Sequence, residues 1–199
     1  MRADARHNRD RLLDAAVELM LEVGAEPPLD AIARRADVGI GTLYRHFPDR
    51  ENLLDAVAEH TLARSIAAAE TALTSAPDGY DALRQYMHAA VGLGVGVLNL
   101  IRPLLDDPDW TDQRTRMTTL LEAILERGKN DGRLRRETRT PDIVFPVIRF
   151  SRPVAVGLLR ADERAIAHRH LDIYIDGLGT GDPTKHPLPE PPVLGRWTG

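Results

Sequence analysis

Apolar positions recur every third or fourth residue along most of this chain, which predicts helices. Leu12, Ala16, Leu19 and Val23 mark a helix from Arg11 to Val23, ended by Gly24. Ile32, Ala33 and Ala36 give a short second helix its stripe, and Val38 fills a corner. Leu43 and Phe47, four apart, give a third helix its buried face. Pro48 stops it, and Asp49 caps a fourth helix running to Thr74. Ser75 to Gly79 reads as a linker where two domains separate. Tyr80 to about Ile101 is the next helix, interrupted by Arg102-Pro103. A turn over Asp106–Asp109 precedes a helix from Trp110 to Asn130. Thr140 caps a helix opened by Pro141, which Pro146 and Pro153 kink or break near Arg152. Asp162 to Leu178 is the last helix. From Gly179 onward the chain is rich in Pro and Gly, so an irregular or disordered tail is expected. The fold class is all-α.

The stretch from Leu29 to Phe47 carries the chemistry. Its two short helices joined by a tight turn make a helix-turn-helix, and Thr42, Tyr44, Arg45 and His46 point away from the buried face. Such side chains donate to phosphates and reach base edges in a DNA groove. The run Gly41-Thr42-Leu43-Tyr44-Arg45-His46-Phe47-Pro48-Asp49-Arg50-Glu51-Asn52-Leu53 extends the motif, with Asp30-Ala31-Ile32-Ala33, Ala36, Val38, and Ala15-Ala16, Leu19 and Gly24 before it.

Residues 8 to 56 resemble the DNA-binding domain of TetR-family transcriptional regulators. The resemblance implies a three-helix head, a fourth connecting helix, and a helical ligand-binding and dimerisation domain. It divides the chain into a head at 1–56, a body at 57–178 and a tail at 179–199. It assigns phosphate contacts to Thr42, Tyr44, His46 and Arg50, and base contacts to Gly39, Ile40, Gly41 and Arg45. Three residues depart from the family pattern. Asp37 stands where the turn glycine is usual; aspartate tolerates a left-handed backbone better than most residues. Gly39 replaces the usual serine cap, and Pro28 the usual threonine before the second helix, where proline suits a first turn.

Composition bounds the picture. At 199 residues the chain buries one good core beside a small head, and no cysteine is present for disulfide or thiol chemistry. Apolar runs stay short of a membrane span, and Met1-Arg2-Ala3-Asp4 has no apolar core behind it as a signal peptide has, so the cytoplasm is expected. The net charge is −4, and residues 1 to 50 set eight arginines against nine acids. DNA binding therefore rests on placement rather than bulk charge. Asp10, Asp14, Glu18 and Glu22 recur every fourth residue and are expected to face away from the duplex as an acidic stripe.

Other motifs are weaker. Gly92-Leu93-Gly94-Val95-Gly96 lacks the GxGxxG spacing and a preceding strand, so it is not a nucleotide loop. Its glycines read as mid-helix sites of close packing or ligand space. Asp106, Asp107, Asp109 and Asp112 read as a capping loop rather than a cation site. His168 and His170 are two apart on a helix and cannot share a metal, while His60 and His88 stand isolated. No metal, cofactor or catalytic set is assembled. An apolar pocket is expected between the helices beginning at Tyr80, Trp110 and Pro141, lined by Tyr86, Gly92, Gly96, Trp110 and Phe145, with His88, Asn99 and Arg149 as polar anchors. Ala167, Leu171, Tyr174 and Leu178 form a stripe expected to dimerise the last helix. The reading is a homodimeric, ligand-responsive repressor of transcription that binds double-stranded operator DNA and a small-molecule effector, with no membrane partner. The alternatives are an activator or ligand-independent DNA binder and, more remotely, a helical enzyme with an incidental helix-turn-helix.

Overall fold

The computed structural model describes residues 2–105, 110–153 and 160–180. The expected turn at Asp106–Asp109 and the tail beyond Thr180 lie outside these residues. Nine α-helices are described: α1 (Arg2–Val23), α2 (Leu29–Arg35), α3 (Ile40–His46), α4 (Arg50–Ser75), α5 (Gly79–Gly92), α6 (Val97–Ile101), α7 (Thr111–Asn130), α8 (Pro141–Phe150) and α9 (Arg160–Leu178). There is no named strand among them, only an isolated bridge between Leu134 and Gly179. No single described helix is long and apolar enough to cross a membrane.

Local chemistry sets most of these boundaries. α1 stops at Gly24, whose φ of +107° ends the helix while its N–H still reaches the Met20 carbonyl. The Asp49 side chain accepts from the Asn52 N–H at 2.8 Å and caps α4, and Asp78 caps α5 the same way through Asp81. The expected Thr140 cap is not made: α8 begins without it, and the Asp142 carboxylate instead accepts from the Arg139 N–H at 2.8 Å. α1 begins nine residues before the expected Arg11, because its first turns carry little apolar pattern to announce them.

Two apolar clusters result. The first joins Leu12, Leu13, Met20, Ile32, Leu43, Phe47 and Val57, all nearly or fully buried, with Val97, Ile101 and Leu105 from much later in the chain. The second packs α5, α7, α8 and α9 around Leu83, Met87, Leu121, Ile124, Ile143, Leu171 and Ile175. A division at residue 56 falls inside the unbroken α4.

Ser75–Gly79 is not a linker between domains. It is a tight corner inside the body. The Arg127 guanidinium donates to the carbonyls of Leu73 (3.0 Å), Ala76 (3.0 Å) and Pro77 (2.9 Å), satisfying the open end of α4. Gly79 donates its N–H to Asp131 at 2.9 Å. Here α5 and α7 touch backbone to backbone: a Cβ on Gly79 would lie 2.1 Å from the Gly128 nitrogen.

The long helix expected from Tyr80 to Ile101 is broken as well. α5 ends at Gly92, and Gly94 takes a φ of +70°. A Cβ there would also lie 2.7 Å from Val17 Cγ1 of α1. Gly92 therefore ends α5, Gly94 and Gly96 lie in a turn rather than mid-helix, and the turn sends α6 toward the head.

Gly79→Ala is expected to lower stability by about 1–3 kcal/mol, as overpacking against an immobile backbone does. Gly92→Ala, where a Cβ meets nothing within 4 Å, should stay within about 0.5 kcal/mol of the parent. Urea midpoints of the two variants check the contrast.

Candidate nucleic-acid interface and cavities

The recognition segment follows from the two-helix corner. Asp37 adopts the left-handed backbone, with φ +52°, and Val38 folds its N–H back to the Ala33 carbonyl at 3.0 Å. Gly39 begins α3 with no side-chain cap. Leu43 and Phe47 are buried and anchor the helix. Ile40 and Tyr44 remain 41% and 51% exposed, Gly41 and Arg45 are exposed, and Thr42 and His46 are half-buried. The structure thus brings Gly39, Ile40, Gly41, Thr42, Tyr44, Arg45 and His46 together on one short helix and its start. A Cβ on Gly41 would meet nothing, so subunit packing leaves its backbone open. Arg50 differs. It is half-buried, and its guanidinium donates to the Pro27 carbonyl at 3.1 Å, tying α4 to the loop after α1.

The acidic stripe on α1 is not simply turned to solvent. Glu18 and Glu22 both hold Arg35 of α2, at 3.1 and 2.9 Å. Asp14 holds Arg64 of α4 and lies 3.1 Å from His60. Arg11 pairs with Asp37 of the turn at 3.0 Å, and Arg34 pairs with Asp30 within α2. Each exposed pair contributes little alone. Together they use up much of the head's charge of both signs.

The residues expected to line one pocket are dispersed over several places. Tyr86, Asn99 and Trp110 line a cavity of about 200 Å³ between α4, α5, α6, α7 and α8, together with Arg102, Met117 and Ser65. Gly92 and Arg149 instead line a second cavity of about 430 Å³, walled by Val17 and Leu21 of α1 and by His168. Gly96 lines neither: a Cβ there would lie 2.9 Å from the Ile148 carbonyl, so this glycine lets α6 close on α8. Phe145 is 41% exposed on the outer surface of α8. His88 belongs to a polar cluster between α5 and α9.

Inside the first cavity, the buried Tyr86 hydroxyl has only weak partners, Ser65 Oγ at 3.3 Å and Met117 Sδ at 3.6 Å. Burial pushes the Tyr86 phenol up from its ordinary value, so it stays a neutral donor. Ser65 carried no chemical signal of its own. Its only mark is a polar position, with Thr61 one turn before it, on the inward face of an apolar helix.

In the polar cluster, His88 Nδ1 and His168 Nδ1 lie 2.7 Å apart with stacked rings, and His88 Nε2 lies 2.8 Å from Asp172. Arg84 reaches the same carboxylate at 2.9 Å. His170 is exposed and takes no part in this cluster, although it lines the 430 Å³ cavity with His168. Asp172 and Asp176 face α5: Asp176 accepts from the Tyr80 hydroxyl at 2.6 Å. The dimer stripe is corrected by the same geometry. Leu171 and Leu178 are buried within the subunit, and the Tyr174 hydroxyl donates to the Asp142 carbonyl at 2.9 Å. The large apolar residues that α9 leaves exposed are Ile166 and Ile173.

A helix-turn-helix head carried by a long fourth helix on a helical body defines a DNA-binding transcriptional regulator. Residues 12–57 match the family described as bacterial regulatory proteins, tetR family. The fold matches the crystal structure of a TetR transcriptional regulator from Streptomyces coelicolor, with 30% identity, a TM-score of 0.62, and coverage of 87% of this chain and 99% of that one. It also matches LfrR from Mycobacterium smegmatis, crystallised in complex with proflavine, at 26% identity and a TM-score of 0.56, over 84% of this chain and 95% of that one. An HTH-type transcriptional regulator of Staphylococcus aureus is 41% identical over 63 residues, which are 31% of this chain and 34% of that protein. The chain thus spans about a third of the length of the curated relatives it matches. It belongs to the TetR family and is a DNA-binding transcriptional regulator of that kind.

The histidine cluster makes stability depend on pH. Burial lowers the His168 pKa below its ordinary 6.5, and charge on His88 lowers it further. The unfolded chain therefore binds a proton more readily than the folded one. The contribution is complete above pH 6.5 and is lost as pH falls toward the depressed folded value. Urea midpoints measured from pH 8 to pH 5 should fall with acidification, and His168→Gln should flatten the curve.

Proposed function

We propose that this chain is a dimeric repressor that leaves its operator when a small, mainly apolar molecule fills the 200 Å³ cavity. One observation carries the reading. α6 presents Leu98 and Asn99 to the cavity, while Val97 and Ile101 of the same helix sit in the apolar cluster of the head. A molecule that moves α6 outward disturbs the packing of α1 and α4, and with it the angle of α3. A preference of about 1–3 kcal/mol for the displaced state changes DNA affinity 5–150-fold. The relative crystallised with proflavine, a flat aromatic molecule, supports a small aromatic occupant.

In this reading the head extends to residue 56, the body covers 57–178, and the protein acts in the cytoplasm without enzymatic activity. Thr42, Tyr44 and His46 hold phosphates, and Arg50 adds a contact through the guanidinium N–H groups that the Pro27 carbonyl leaves over. Gly39, Ile40, Gly41 and Arg45 face the base edges, with Ile40 suited to a thymine methyl. Two subunits place their α3 helices in successive major grooves, roughly 34–36 Å apart. The dimer face consists of the outer sides of α8 and α9, where Phe145, Ile166 and Ile173 are exposed.

Tyr44→Ala is expected to weaken operator binding while leaving the melting temperature unchanged, read by fluorescence anisotropy and by circular dichroism. Ile173→Glu should convert a dimer into a monomer in sedimentation, whereas Leu171→Glu should unfold the subunit. For the cavity, a thermal-shift screen of small apolar compounds is decisive. A compound at a hundred times its dissociation constant stabilises the protein by about 2.7 kcal/mol and should release the DNA. Met117→Trp, which fills the cavity, should abolish both responses and keep DNA binding. A full response in that variant overturns the assignment.

A further inference from the structure

We infer that the first turns of α1 are a second DNA-contacting element, in which Arg6 and Arg9 each neutralise a phosphate of the duplex beside the groove that α3 enters. The inference rests on the DNA-binding reading of α3.

The order of partners along α1 gives its direction. Glu22 and Glu18 hold Arg35 of α2, and Asp14 holds Arg64 of α4. Arg11 then holds Asp37 in the turn before α3. Arg9 follows, its guanidinium 5.6 Å above the ring of Phe47, the residue that closes α3. Moving toward the N-terminus, α1 leaves the packed head and arrives alongside α3. The turns before Arg9 continue past it. Arg9 and the exposed Arg6 about one turn before it thus lie at the end of α1 that reaches α3, the helix that exposes Tyr44 and Arg45.

Elimination among the cations points the same way. Of the eight arginines in residues 1–50, Arg11, Arg34 and Arg35 are held in ion pairs and Arg50 is half-buried on a carbonyl. Arg6 is exposed, and among the described residues neither Arg6 nor Arg9 takes part in an ion pair, Asp10 included. Arg2, Arg6 and Arg9 are spaced i, i+4 and i+7, one face of a helix. From Arg9 to Arg2 that face runs about 10 Å at 1.5 Å per residue. Among the described residues, a head whose acids outnumber its arginines thus keeps positive charge outside ion pairs at Arg45 on α3 and at Arg6 and Arg9 of this row. The ring under Arg9 fixes the base of the row, since a guanidinium stacked on an aromatic face keeps its N–H edge available. A row of arginines beside a recognition helix suits phosphates, which carry most of the charge that a DNA-binding protein meets.

The test uses the full-length protein and a duplex recovered by in vitro selection with it, titrated between 50 and 200 mM salt. Arg6→Ala should reduce the slope of log affinity against log salt by about 0.9 for each bound subunit. For two subunits the variant then escapes roughly a tenfold part of the salt-driven affinity loss. Arg9→Ala should do the same, Arg6→Lys should keep the parent slope, and melting curves should show Arg6→Ala fully folded. If Arg6→Ala and Arg9→Ala keep the parent slope and affinity while Tyr44→Ala loses binding, α3 binds DNA and α1 does not. A loss of affinity with an unchanged slope also overturns the inference, because only a lost charge contact moves the slope. A parent protein that selects no duplex overturns the DNA-binding reading itself.

Discussion

The architecture depends on the turn between α5 and α6. Gly94 carries a left-handed backbone there, with its bare Cα pressed against Val17 and Leu21 of α1. A Cβ there would lie 2.7 Å from Val17 Cγ1 and 2.8 Å from Leu21 Cδ1, so those side chains would have to shift. Because the approach is this close, α6 reaches the head and places Val97 and Ile101 in its core. The remaining face of α6 then closes the body cavity. Coupling between a bound molecule and the DNA-binding surface requires an element that belongs to both, and this short helix is such an element. A longer, unbroken helix in its place would have separated the two clusters.

The body is held by contacts of another kind. Arg127 satisfies three carbonyls at the end of α4, while Gly79 and Gly128 let α5 and α7 meet without side chains between them. The corner at Ser75–Gly79 is therefore closely packed and hydrogen-bonded. The polar contact at the α4 segment near Ser65 is looser, since the buried Tyr86 hydroxyl is held only by long hydrogen bonds. Weakly satisfied polar groups in an apolar cavity favour an occupant that offers a better partner.

Electrostatics in the head acts through position rather than total. Nine acids and eight arginines nearly cancel. Ion pairs hold Arg11, Arg34 and Arg35 together with Asp14, Glu18, Glu22, Asp30 and Asp37, and those that join α1 to α2 and α4 fasten the helices at the same time. Positive charge left outside these pairs is concentrated near α3. A chain of net negative charge thus presents a locally positive edge, which is what association with a polyanion requires.

The sequence by itself determined the helical class, the helix-turn-helix and its exposed face. These are local properties: the spacing of Ile32, Ala33, Leu43 and Phe47, the stop at Pro48 and the cap at Asp49 require no knowledge of distant residues. Even the unusual Asp37 was legible, because a tight turn needs one left-handed residue and aspartate is among the few that accept the role. Tertiary structure alone decided what each helix face meets. Leu171 and Tyr174 form a stripe that fits a partner subunit or the chain's own core equally well, and only the packing of α5 and α8 assigned it to the core. The spacing of Gly92, Gly94 and Gly96 suits a glycine-lined helix face as well as a turn, and the proximity of Val17 and Ile148 selected the turn. Cavity lining was divided for the same reason. Tyr86, Asn99 and Trp110 converge because the bend after α5 sets α6 against α1 and α4, whereas His88 faces α9 and meets His168 from 80 residues away. Periodicity shows that a face is apolar or polar. Which other face covers it is settled only when the whole chain has folded.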